Sequence, residues 1–262
     1  MTHPELVMNY LKYCGYRKIS RAKGRIKLSP ESFFYPGILL PLTYLERKTS
    51  NLTYIFPSYS DTFESLKVFG SGYFPAVPLP KLGTEIDSIF PHLYSVLEDG
   101  KKCGGQDAFK YIIGELGGNI VEHSESQNAY IMGYAYSKKK FTEVCLFDDG
   151  ISIPGAFEKH GVTYEDDSKA IALAIKGKST SEEGGRGFGL GTSLAMLVEG
   201  LNGEVLLISR RGGFYADSDG VENYELESPL VSHMGTIITM RIPFQDKKLD
   251  PYLFTSGAKR LL

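Results

Sequence analysis

Between Asp107 and His123 the apolar residues Phe109, Ile112, Ile113, Leu116, Ile120 and Val121 recur at three- and four-residue steps. That spacing lays one apolar stripe along a helix, and such a helix needs a surface to cover. The segments that follow can supply it. Ala129 to Tyr136 and Phe141 to Phe147 have the character of paired strands, and Glu204 to Ser209 and Thr236 to Pro243 that of closing strands. Ser168 to Lys176 and Gly189 to Leu201 are predicted helices. Helix, two strands, helix, helix, strands is the order of an α+β fold, not of a doubly wound sheet.

Upstream, strand character at Arg25 to Leu28 and Leu52 to Phe56 alternates with helical character at Tyr35 to Lys48 and Asp61 to Phe69. This predicts a small α/β unit with a parallel pair. Pro41 would kink or divide the first of these helices. Three prolines in Phe74 to Gly83 mark a linker or domain edge. The expected division is therefore a smaller α/β domain over 1–80 and a larger one over 81–262, whose first element is a helix over Glu85 to Leu97.

A hydrophobic share of 42%, with 17 Tyr and 15 Phe, supplies core material and argues against disorder. A formal charge of −2 gives no global attraction to nucleic acid. The basic stretch Arg17, Lys18, Arg21, Lys23, Arg25 and Lys27 reads as a solvated surface segment. Cys14, Cys103 and Cys145 are odd in number and widely spaced, so neither a disulfide framework nor a zinc site follows. The longest apolar stretches, such as Gly37 to Leu42, are far below the ~18 residues of a membrane span. A cytoplasmic location is expected, with no membrane or nucleic-acid partner.

Three segments carry polar chemistry. On the predicted helix, Glu115, Asn119 and His123 lie four residues apart and share a face. A carboxylate beside a neutral oxygen ligand suits Mg²⁺ and an activated water, while a solvated helix face has the same pattern. Phe147-Asp148-Asp149-Gly150-Ile151-Ser152-Ile153-Pro154 places a carboxylate at a strand end before a turn. It can accept from a ligand amino group, or serve as an ordinary Asp-Gly turn. Gly184 to Ser193 spaces glycines ahead of a helix, leaving room for phosphates to approach the backbone. A dinucleotide fingerprint would need a strand immediately before these glycines, and a P-loop would need Gly-Lys-Ser/Thr at the end of a GxxxxG run; both are absent.

In this order, from Asp107 to Phe244, the chain resembles the GHKL ATPase superfamily, whose ATP-binding unit is called the Bergerat fold. ELGGNIVEHS is similar to its N box, DDGISIP to its first glycine box, GRGFGLGTS to its second, and Gly235-Thr236 to its terminal Gly-Thr. The resemblance implies an α/β sandwich, a mixed sheet with helices on one face, that binds ATP and Mg²⁺. It implies that Asn119 ligates Mg²⁺ and that Glu115 positions or deprotonates the nucleophile. Asp148 would accept from the adenine amino group with Thr236 supporting it, and Gly150 would let the base approach. Gly187, Gly189 and Gly191 would line the phosphates beneath a lid, with Lys178 and Arg186 placed to neutralise their charge. Ser152 departs from the pattern, because it stands where the family's first box has its second glycine.

The helix motif is closest in style to serine-kinase anti-sigma proteins and other stand-alone bacterial ATPases. That implies ATP hydrolysis or phosphoryl transfer to a protein Ser/Thr, in a signalling role with a regulatory protein partner or self-association. An ATP-gated interaction module without turnover is the alternative. Lys27 to Phe74 loosely resembles a STAS-type domain, with an unrelated α/β cap as the other reading.

Overall fold

The computed structural model describes residues 4–23, 25–27, 35–48, 53–55, 73–80, 91, 93, 102–178 and 189–255. The helix anticipated from its stripe is α3, Gln106–His123; Phe109, Ile112, Leu116 and Ile120 are buried along it. The strands are β3 (Tyr73–Pro78), β4 (Ala129–Tyr136), β5 (Phe141–Asp148), β6 (Glu204–Arg210), β7 (Gly212–Asp217), β8 (Gly220–Glu225) and β9 (His233–Pro243). They form one seven-stranded sheet in the order β3-β4-β5-β9-β6-β7-β8. Every pairing in it is antiparallel, where a mixed sheet was expected. Hairpins close β4-β5, β6-β7 and β7-β8, and β9 returns between β5 and β6, so no parallel crossover is needed.

Successive strand residues point to opposite faces, and both faces are covered. Val144 and Leu146 of β5, with Val205 and Leu207 of β6, join the core beneath α3. That layer also holds α4 (Ser152–Lys159), α5 (Asp167–Ile175), and α6 (Gly189–Ala195), which runs on as a π turn through Met196–Gly200. Cys145, Phe147, Leu206 and Ile208 face the other way, into a second core with Leu6, Tyr10, Ile38 and Leu40. Those last residues come from α1 (Glu5–Lys23) and α2 (Pro36–Lys48). Helices thus lie on two faces, not one. Burial on both sides explains why β5 is buried almost throughout and carries the unbroken apolar run Val144 to Phe147 in place of alternation.

The prolines near residue 75 form an edge strand and not a linker. Pro75 and Pro78 lie in β3, which among the described residues pairs only with β4 and shifts register between Phe74 and Val77. An edge strand tolerates proline because one row of its backbone donors has no ladder to join. A boundary at residue 80 therefore does not separate two cores: α1, α2 and β3 all pack on the same sheet as the later strands. The short strands β1 (Arg25–Lys27) and β2 (Thr53–Ile55) do pair in parallel. Helix α2 runs through Pro41 without division. The expected helix over 61–69 and nearly all of that over 85–97 lie outside the described residues.

Arg17, expected in solvent, is buried; it donates to the Leu230 carbonyl at 2.5 Å and lies 5.4 Å from the Tyr13 ring centre. A larger buried polar cluster ties α1 and α2 to the sheet. Glu143 of β5 accepts from Arg241 Nε of β9 at 2.8 Å and from the Gly37 amide in the first turn of α2 at 3.0 Å. Arg241 also reaches Glu5 of α1 at 2.8 Å and Glu204 at 3.4 Å, and its guanidinium lies 4.6 Å from the Tyr35 ring centre. Gly37 has to be glycine for this approach, since a Cβ there would come within 2.9 Å of Thr239.

All three cysteines are buried and free. No described helix is long and apolar enough to cross a membrane.

Candidate functional site

Beneath α3 a half-open cavity lies between that helix, the sheet and α4. Leu116, Asn119, Ile120 and His123 of α3 form one wall. Asp148, Thr236, Leu207 and Ile238 come from the sheet, and Lys178, Gly189 and Leu190 line the remaining side.

Asp148 ends β5 with no exposed surface. Its Oδ1 accepts from the Gly150 amide at 2.8 Å, and Thr236 lies beside the carboxyl. Its Oδ2 is buried with no partner. Burial pushes the carboxyl up to about 7, although the Gly150 amide and the neighbouring Thr236 pull the other way. Thr236 in turn lies 3.0 Å from the Ser209 hydroxyl, which accepts from the Ile153 amide. The neighbouring Gly235 lets β9 approach, because a Cβ there would lie 2.1 Å from the Asp148 carbonyl oxygen.

Asn119 sits one turn along α3 from His123, and its Nδ2 is also buried with no partner. Two unpartnered polar groups in one apolar cavity are costly unless a ligand completes them. No described group of three or more His, Cys, Asp or Glu side chains could hold a metal ion by itself. Mg²⁺ needs fewer protein ligands when phosphates and waters fill its octahedron. The Asn119 amide fits that part, since it can turn its oxygen toward an ion without losing a bond at Nδ2.

The other expected residues divide. Gly189 lines the cavity, and a Cβ on it would come 2.1 Å from Glu115 Oε2, so Glu115 lies directly behind this glycine. Glu115 itself faces an adjoining cleft, with Tyr111 and Tyr252. Gly150 and Gly191 serve packing. Added Cβ atoms would lie 2.0 Å from the Ser124 carbonyl oxygen and 2.1 Å from that of Ile175 respectively. Gly150 thereby seats the β5 turn on the end of α3, where Ile151 donates to the Ser124 carbonyl at 2.7 Å. Lys178 is exposed at the rim. Arg186 and Gly187 lie outside the described residues.

Ser152 lines the cavity with φ +71°, the left-handed region that glycine adopts without strain. Its hydroxyl accepts from the Gly155 amide at 3.2 Å. Ser152→Gly is expected to stay within about 0.5 kcal/mol of the parent in urea unfolding, since relief of the backbone offsets the lost hydroxyl contact. Ser152→Val should lose about 2 kcal/mol, because a β-branched side chain worsens the same strain. Equal stabilities for the two variants would show that this φ is not a constraint.

The wall made by Ile153, Ala156 and Phe157 was not anticipated from the sequence. Its signal was present but short: Ser152–Lys159 is an eight-residue helix with buried Pro154, Ala156 and Phe157, hidden behind a turn motif.

Comparison of the chain with family models, with curated proteins and with solved structures found no match.

Proposed function

We propose that this cavity binds ATP with Mg²⁺ and that the protein hydrolyses it or passes the γ-phosphoryl group to a protein Ser/Thr. The observation that carries this reading is the buried, unpartnered Oδ2 of Asp148 at the inner end of an apolar slot. Such an oxygen is complementary to an exocyclic amino group, and Ile153, Phe157, Leu207 and Ile238 offer the apolar contact a flat base requires. Asn119 is the candidate Mg²⁺ ligand, and Gly189 leaves backbone space for phosphates. When bound, Mg²⁺ would neutralise charge on the phosphates. Glu115, behind Gly189, would orient the attacking hydroxyl or water and take its proton. Lys178 at the rim, with Arg186, would meet phosphate charge.

The motif order similar to that of the GHKL superfamily supports the same reading and a regulatory role with a protein partner or a second copy. Three free thiols accord with a reducing, cytoplasmic compartment.

Titration calorimetry with Mg²⁺ and a non-hydrolysable ATP analogue tests the site; no heat at millimolar ligand would overturn it. Glu115→Ala is expected to keep the analogue's affinity within about threefold and to lower phosphate release by at least about 100-fold. Unchanged turnover would leave an ATP-gated interaction module in place of an enzyme.

A further inference from the structure

Asp149 follows the Asp148 carboxylate and turns to the opposite side of the sheet, where an N-terminal helix holds it. Its Oδ1 accepts from the Gln127 and Asn128 amides at 3.1 and 2.9 Å. Its Oδ2 accepts from Asn128 Nδ2 and from the Tyr44 hydroxyl of α2, both at 2.8 Å. Burial alone would raise this carboxyl, yet the bonds from Asn128, Tyr44 and Gln127 hold it below the usual carboxylate range. The Tyr44 ring also packs on Phe147, with centroids 4.6 Å apart. Phe147 touches the His233 ring at 4.9 Å, and His233 Nε2 bonds the Asp148 carbonyl at 2.8 Å.

Resting on the ATP reading above, we propose that Tyr44 is a positioning residue for the adenine site: by clamping Asp149 from α2 it fixes the turn that aims Asp148 into the cavity. Besides the Gln127 and Asn128 bonds to Asp149 and the Ile151 bond to the Ser124 carbonyl, three further anchors hold that turn. The Gly150 amide fixes one carboxyl oxygen and His233 fixes the carbonyl, both within the sheet and its turn. Tyr44 anchors it from α2, on the face of the sheet opposite the cavity, so seating of α2 and occupancy of the cavity are linked. Linkage is reciprocal: what α2 does for nucleotide affinity, nucleotide must do for α2.

The test compares the full chain with Tyr44→Phe, which keeps the ring on Phe147 and removes only the hydroxyl. Dissociation constants for ATP and for adenosine should both rise about fivefold, by the same factor, because the affected end is the base. KM for ATP should rise equally with kcat unchanged, since Glu115 and Asn119 are untouched. Amide exchange in α2 should slow when adenosine is added to the parent and respond less in the variant. Unchanged nucleotide affinity in Tyr44→Phe overturns the positioning role and leaves the ATP site standing. A fall in kcat with KM unchanged also overturns it. A parent chain that binds neither ATP nor adenosine overturns both.

Discussion

Asp148→Asn is expected to weaken binding of ATP by about 100-fold or more, because the substitution reverses one hydrogen-bonding group while keeping the shape. The Gly150 amide already points at Oδ1 from 2.8 Å, so an asparagine must present its oxygen there. Its NH₂ then replaces Oδ2 and faces the incoming amino group, donor against donor. The lost bond and the unpaired donors together cost about 3 kcal/mol, which is a little over two decades of affinity. A variant that unfolds like its parent and binds ATP with equal affinity would remove Asp148 from the site. The parent should also bind with a pH dependence the variant lacks. The ligand needs the ionised carboxylate, and burial raises Asp148 to about 7 in the empty protein. Affinity should therefore fall about tenfold for each pH unit below 7 and level off above it. Stability of the empty protein runs the other way. A carboxyl raised on folding contributes most below its unfolded value near 4 and loses that contribution as pH rises toward 7.

The second large effect is on stability. Arg241→Ala should lower unfolding free energy by about 3–5 kcal/mol, since it leaves Glu143 buried without its cation. Burial disfavours the charged guanidinium, but Glu143, Glu5 and Glu204 hold it protonated well above the ordinary arginine range. The double variant Glu143→Leu/Arg241→Met should recover at least about 2 kcal/mol of the loss, because an apolar pair carries no desolvation penalty. Urea unfolding of the parent, Glu143→Leu, Arg241→Met and the double variant gives the coupling. A loss below about 1 kcal/mol in Arg241→Ala would mean that water reaches Glu143.

The helix bearing Glu115 and Asn119 was legible because its stripe repeats over five turns, and its boundaries differ from expectation by one residue. Strand β5 and its terminal aspartate were legible for a similar reason: an apolar run ending at Asp-Asp-Gly states both the element and its stop. The roles of the glycines were less so. Gly150 and Gly191 fit the motif pattern, yet their missing side chains make room for the Ser124 and Ile175 carbonyls, contacts no spacing rule reveals.

What the sequence determined by itself was local: which stretches coil, which extend, where the backbone must turn, and which polar groups share a helix face. These depend on residues within about four positions of one another. Tertiary structure decided which strands are neighbours. The Thr236 support beneath Asp148 exists because β9 returns beside β5 in the register Phe147 to Ile237. It also decided that α1 and α2 cover the second face of the sheet, that the proline segment is an edge, and that Tyr44 reaches Asp149. Those outcomes follow from burying both apolar faces of one sheet, a requirement satisfied by the chain as a whole and written in no single segment.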